Sequence, residues 1–236
     1  MAHGLRHTLG QLGWRDAALY WLARALAGAS GGRWRLHRYR YIAQYVGATP
    51  LNGGRGRDIA IAPRADDAPT PANYPRPDAV VAARLAQGAR SLEAWRHGRL
   101  AGFIWLIDGA YQEDEVRARF QLAAPESSWD FDVWVAPEQR LGMTFARLWE
   151  AVRLELRARG VHWTCSRISA FNPASLRAHA AIGVVPLGSA LFLCCGRWQW
   201  MFASMAPRFH WSRTPSSWPV LTFDTRTLIA PTKEPS

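Results

Sequence analysis

The stretch Trp129–Phe145 constrains the fold most. It reads Trp-Asp-Phe-Asp-Val-Trp-Val-Ala-Pro-Glu-Gln-Arg-Leu-Gly-Met-Thr-Phe. The bulky residues over 129–135 predict a strand. Pro137 and Glu138 suit the first turn of a helix. Phe145, Leu148, Trp149, Val152 and Leu156 then recur at helical spacing as a buried stripe, up to about Arg159, and Gly160 ends it. A strand feeding a helix N-terminus presents unpaired backbone N–H groups, which suit a phosphate. A second segment echoes the first. After a strand over Trp163–Phe171 comes Asn-Pro-Ala-Ser-Leu-Arg-Ala-His-Ala-Ala-Ile-Gly at 172–183. That predicts a loop entering a helix at about Ala174–Ala181, with Gly183 as its cap.

The remaining segments supply a sheet around this pair. Residues 8–29 read as a helix with Leu12, Leu19, Leu22, Ala23 and Leu26 on one stripe, ended by Gly31-Gly32. It is either an extra helix packed on the domain or a basic amphipathic helix for a membrane or an acidic partner. Arg35–Val46 alternates as a strand, read as an aromatic-faced edge with solvated arginines. Tyr39, Tyr41 and Tyr45 beside Arg33, Arg35, Arg38 and Arg40 keep nucleic acid open as the alternative. Thr49–Arg57 is a Gly-rich connection without phosphate-loop spacing. A short strand over Ile59–Ala62, a loop over Asp66–Pro77 and a helix capped by Asp78 follow. Arg96-His97-Gly98-Arg99 predicts a hairpin between Ser91–Trp95 and Leu100–Ile107. Glu115–Leu122 alternates as another strand, and Gly196 centres a second hairpin, Leu187–Cys195 with Arg197–Ala203. From Pro207 onward prolines accumulate without a period, predicting a wrapped or disordered tail. This order implies an α+β fold, a mixed, mostly antiparallel central sheet flanked by helices. The predicted parts are a helical extension over 1–32, one domain over 33–205 and a Pro-rich tail over 206–236.

Charge and cysteine usage bound the chemistry. The formal charge is +11 and Lys233 is the only lysine. Residues 1–64 hold ten arginines against Asp16 and Asp58. Such a chain attracts anions: nucleotides, nucleic acid, anionic lipid or acidic carriers. Cys165, Cys194 and Cys195 lack metal-ligand spacing, so no metal site is expected and the thiols are read as reduced, in a cytoplasmic protein. Asp16 and Arg24 bracket the apolar run near the N-terminus, which falls short of a secretory leader.

Asp130 and Asp132 lie two apart on a predicted strand and would share a face. Paired carboxylates there suit a general base or an anchor for a cationic amine, with Asp132 the stronger candidate. The alternative is plain pairing with an arginine such as Arg119 or Arg167. Glu93 and Ser169 are weaker candidates. Trp105, Trp129, Trp134, Trp163, Trp198 and Trp200 read mainly as core, with a subset available to line a pocket.

Three features together resemble the GNAT superfamily of CoA-dependent N-acyltransferases. The hairpin Leu92–Trp105 resembles that family's second and third strands. Val135–Leu148 resembles its acyl-CoA loop, with Gln139-x-x-Gly142-x-Thr144 carrying one glycine of the usual pattern. Asn172, Ser175, His179 and Gly183 resemble its motif after the fifth strand, with His179 where a tyrosine is usual. The resemblance implies direct transfer of an acetyl group from acetyl-CoA, or another acyl group from its acyl-CoA, to a primary amine. It implies that Val133, Trp134 and Val135 pair with the pantetheine arm. Arg140 and the amides of Leu141, Gly142, Met143, Thr144 and Phe145 would take the pyrophosphate. Asn172 and Ser175 would contact the cofactor, and His179 would donate a proton to the leaving sulfur. Two rivals stay open: a GNAT-shaped acyl-CoA-binding or regulatory module, and a basic protein that binds nucleic acid or an anionic membrane through residues 1–64.

Overall fold

The computed structural model describes residues 2–50, 53–181 and 183–230. Its helices are α1 (Ala2–Ala29), α2 (Asp78–Ala86), α3 (Thr144–Ala158) and α4 (Pro173–Ala181). Its strands begin with β1 (Trp34–Tyr45), β2 (Ala60–Pro63), β3 (Arg90–Arg96), β4 (Arg99–Ile107), β5 (Ala110–Gln112) and β6 (Arg119–Leu122). They continue with β7 (Ser127–Val135), β8 (Trp163–Ser169), β9 (Val185–Cys195), β10 (Trp198–Ala203), β11 (Phe209–Ser212) and β12 (Val220–Phe223). A mixed α+β fold with mostly antiparallel pairing results. The chain divides into two compact units. One holds Met1–Gln44, Gln112–Gln121 and Ser166–Phe223; the other holds Tyr45–Tyr111, Leu122–Cys165 and Asp224–Ser236. They are called here the α4 unit and the α3 unit.

In the α3 unit the strand order is β7-β4-β3-β2, all antiparallel. The β3–β4 turn places His97 at φ 51° and Gly98 at φ 73°, the left-handed pair that a two-residue hairpin needs. One face of α3 buries Leu148, Trp149, Val152 and Leu156 against Leu92, Ala94, Ala101, Ile104 and Leu106. Each of the larger side chains contributes roughly 1.5–3 kcal/mol of burial. β7 carries one extra residue opposite β4. Trp105 pairs with Phe131 and Phe103 with Trp134, and Asp132 in between sits at φ 52°.

In the α4 unit the order is β11-β10-β9-β1, again antiparallel. Its core includes Tyr39, Tyr41, Phe192 and Met201, all buried, with Phe120 and Phe223 packed on Tyr41. Asp16 of α1 accepts hydrogen bonds from Arg40, 2.5 Å away, and lies 3.8 Å from Arg38, fastening the helix to β1.

Several expectations change. α1 starts at Ala2 rather than residue 8, and kinks at Gly13. Among its described side chains Asp16 and Ala17 are buried, and of the expected stripe Leu12, Leu19, Ala23 and Leu26 are half-buried while Leu22 is exposed. β1 is no edge: Tyr39 is buried, β9 pairs along it, and the Ala170 N–H donates to the Arg38 carbonyl on its other side. Pro77, not Asp78, holds the N-cap position of α2. The strand expected over Glu115–Leu122 shortens to β6, because bonds from Glu113 to Ala118 and from Ala118 to Val116 close a tight loop. The expected tail contains β11 and β12. Leu51 and Asn52 of the Gly-rich connection, Ile182 and tail residues 231–236 lie outside the described residues.

Candidate functional site

The predicted cofactor loop is built differently from expectation. A 3-10 turn, Pro137–Gln139, follows β7, and α3 begins only at Thr144. The Gln139 N–H donates to the Ala136 carbonyl, Arg140 to Pro137 and Gly142 to Gln139, at 2.8, 3.4 and 3.1 Å. The Gly142 amide, one of the expected anion donors, is therefore spent inside the turn, as is that of Arg140, whose expected part was its charge. Phe145, expected in the buried stripe, is exposed, and so is Leu141. The first helical N–H to find a carbonyl is that of Arg147, which donates to Met143 at 2.8 Å. A helix N-terminus leaves the amides before that point without intrahelical acceptors, which here means Thr144, Phe145 and Ala146.

Thr144 marks this turn. It is fully buried, and its Oγ1 has no hydrogen-bond partner among the described residues. A buried hydroxyl left unpaired costs about 1–3 kcal/mol. Gly102 of β4 makes room beside it: a Cβ there would stand 2.7 Å from the Trp134 carbonyl oxygen and 3.2 Å from Thr144. Behind the loop, Gly56 presses on the same turn, with a virtual Cβ 2.8 Å from that of Met143. Arg140 is exposed and its Nε donates to the Val135 carbonyl at 3.3 Å. Val133, Trp134 and Val135 are half-buried, and Trp134 stacks on Phe103. An anionic diphosphate fits these features: unpaired helix amides, an orphaned hydroxyl and a nearby guanidinium.

Asp132 does not match the expected free base. Arg76 grips both carboxylate oxygens, and Arg84 Nη1 donates to Oδ2 at 2.6 Å. Neither guanidinium was among the arginines expected as its partners. Arg84 is itself buried and lies over the rings of Trp105 and Phe131. With three N–H donors on one carboxylate, the group behaves as a structural clamp on the bulge. The extra residue at 132 also breaks the alternation that would have made Asp130 and Asp132 simple face-mates. Glu93 is buried against Arg64, 3.0 Å away. Ser169 Oγ accepts from the Phe171 N–H.

In the α4 unit, Asn172, Ser175 and His179 come together at the start of α4. Asn172 Oδ1 accepts from the Ser175 N–H at 3.1 Å, so Asn172 rather than Ser175 caps the helix. Its side-chain amide keeps two donors. His179 is buried, and its Nδ1 lies 2.7 Å from the Ser175 carbonyl oxygen. A carbonyl only accepts, so Nδ1 carries a proton in this contact, and Nε2 is the ring nitrogen that the contact leaves over.

A further cluster escaped the sequence. Tyr39 donates to Glu115 Oε2 at 2.7 Å, and Arg167 donates to the same oxygen at 2.8 Å. Arg167 also reaches Glu113 at 3.1 Å and lies over the Tyr39 ring. His37 Nδ1 is 3.3 Å from the Tyr39 hydroxyl. Burial raises the Glu113 carboxyl above its ordinary range against the pull of Arg167, and burial lowers His37. Burial also pushes Glu115 upward, but Arg167, Tyr39 and His37 outweigh it and hold the carboxyl low. The sequence pattern marks Glu115 only as the start of a strand. Its partners lie more than 50 residues away in sequence, so no local pattern announces them. Among the described residues, no three His, Cys, Asp or Glu side chains are grouped to hold a metal ion.

No family model and no curated protein matches this chain. Among solved structures it is similar to a functionally unknown conserved protein from Staphylococcus epidermidis, at 12% identity and TM-score 0.46, over 72% of this chain and 65% of that one. It is also similar to a GNAT-family protein from Novosphingobium aromaticivorans, at 17% identity and TM-score 0.42, over 66% of this chain and 63% of that one. A third is a tandem GNAT protein from the clavulanic acid biosynthesis pathway, at 16% identity and TM-score 0.43, over 82% of this chain and 59% of that one. The chain thus covers less than two thirds of the length of each of these structures.

Proposed function

We propose that this chain is a GNAT-type, CoA-dependent N-acyltransferase of the cytoplasm that acylates a primary amine. The observation that carries the reading is the first turn of α3, with its unpaired amides and the orphaned Thr144 hydroxyl. When bound, acetyl-CoA or another acyl-CoA supplies an activated thioester carbonyl that an amine attacks directly. Thr144, Phe145 and Ala146 hold the diphosphate through backbone N–H groups, and the Arg140 guanidinium adds charge. Val133, Trp134 and Val135 are the proposed partners of the pantetheine arm. Ser175 orients His179, whose Nε2 accepts the proton that the amine nitrogen loses. Asp132 anchors the bulge.

Calorimetry with acetyl-CoA tests the first part. Binding that weakens at least about tenfold in Thr144→Val and Arg140→Ala supports it; absence of binding by the wild type removes it. His179→Gln then tests the proton acceptor: turnover should fall about 100-fold with cofactor affinity unchanged, and a wild-type rate would clear His179 of the role. The double-arginine clamp on Asp132 favours one second reading, an acyl-CoA-binding module without turnover. Tight binding with no acyl product from any amine would select it.

A further inference from the structure

The α4 unit carries an outer face that acyl transfer does not use. In β1, Arg38 and Arg40 reach Asp16 of α1, so α1 lies on the sheet face shared by the even-numbered residues from Trp34 to Arg40. Trp34 belongs to the same face. It stacks on Trp200 at 6.1 Å and 4° between planes; Trp200 stacks on Trp198, and Trp198 on Trp211 at 5.3 Å and 8°. Four parallel indoles thus cross β1, β10 and β11. Arg213 lies 4.9 Å from the Trp198 ring centre, and Phe202 packs on Phe209. Phe202, Phe209 and Trp211 are about half exposed. On α1, Trp14 is 71% exposed, with Trp21 and Leu22 also exposed.

The unit that carries this surface is electropositive. The α4 unit has 14 arginines against four carboxylates, a net of +10 out of the chain's +11. Residues 166–223 contain no carboxylate, and the one in residues 1–44, Asp16, is buried against its arginines. We propose that this aromatic and basic face seats the protein on an anionic bilayer surface. Indoles settle at the headgroup level, leucines reach the acyl boundary, and arginines pair with lipid phosphates while their stems stay apolar. Base stacking on single-stranded nucleic acid fits less well. The indoles already stack on one another, Arg15 and Arg24 lie over Trp14 and Tyr20, and exposed leucines contribute nothing to base reading. Among the described residues no helix is long and apolar enough to cross a membrane, and the proposed contact is a peripheral one.

The test uses the full chain. It is sedimented with vesicles of phosphatidylcholine alone, or of phosphatidylcholine with about 30% phosphatidylglycerol, and titrated against a single-stranded oligonucleotide. The expected result is partition onto the anionic vesicles at least about tenfold stronger than onto neutral ones, with blue-shifted tryptophan emission. A Trp21→Ser/Trp211→Ser double variant should lose about tenfold. Arg24→Gln and Arg213→Gln should lose about fivefold each. All these positions are exposed, and circular dichroism verifies folding of each variant. No partition onto anionic vesicles at low salt, tighter binding of the oligonucleotide than of vesicles, or unchanged partition in both sets of variants would overturn the proposal.

Discussion

The two units hold equal numbers of arginines, 14 each, and employ them in different ways. The α3 unit surrounds its arginines with 14 carboxylates. Arg64 finds Glu93, Arg76 and Arg84 find Asp132, Arg90 finds Asp108 and Glu155, and Arg153 finds Glu150. The α4 unit has four carboxylates to offer: Arg38 and Arg40 share Asp16, Arg167 takes Glu113 and Glu115, and other arginines turn to aromatic rings and backbone carbonyls. Arg213 lies over Trp198, and Arg117 donates to the Arg197 carbonyl. The same side chain therefore locks a polar interior in one unit and keeps a surface charged in the other. Local carboxylate supply decides which, since a guanidinium stays protonated in either setting.

Ion-pair deletions put the contrast at greatest risk. Asp132→Ala leaves Arg84 buried without its counter-charge and should cost about 3–5 kcal/mol in urea melts. Asp16→Ala, in the other unit, should cost about 1 kcal/mol or less, because its partners Arg38 and Arg40 keep 26% and 49% of their side-chain surface in water. Equal costs would erase the distinction. Next in size, Gly102→Ala drives a methyl against the Trp134 carbonyl and should destabilise by about 1–3 kcal/mol, and also weaken acetyl-CoA binding in calorimetry.

A pH series sharpens the comparison further. The Glu113 carboxyl sits above its ordinary value through burial. Between about 4.3 and that raised value the folded chain keeps a proton that the unfolded chain releases, so stability from this group falls as pH rises through the window. Glu113→Gln should remove that slope and gain on the wild type with increasing pH, as read by thermal melts from pH 4 to 8. Smallest of all, Trp211→Ala should change stability by no more than about 0.5 kcal/mol, since the ring is half exposed. A larger loss would make the tryptophan row a stabilising element of the α4 unit.

Parts governed by short-range pattern were legible in the sequence. The turn at His97-Gly98 and the stripe Leu148, Trp149, Val152, Leu156 were read directly, because each depends on neighbours within a few residues. The bulge at Asp132 was not, because one extra residue in a strand leaves no mark until its partner strand is known. The delayed start of α3 was missed because Pro137 and Glu138 suit a 3-10 turn as well as an α-helix. In the segment 139–145 the sequence does not say which amides are free: that of Gly142 closes a turn, whereas those of Thr144 and Phe145, two and three residues later, have no intrahelical acceptor. Asn172 Oδ1 accepts from the Ser175 N–H and His179 Nδ1 lies against the Ser175 carbonyl, contacts whose direction no residue spacing specifies.

Gly56 gives the α3 unit a tuning point outside its proposed chemistry. It holds φ 74° and lies against Met143 and Arg147, so its loop and the opening turn of α3 share one steric boundary. Adding a single carbon at position 56 would shift that boundary without altering any group assigned to bind or react. Adjusting that turn from behind, by one methyl, is a handle for grading its affinity for the proposed cofactor.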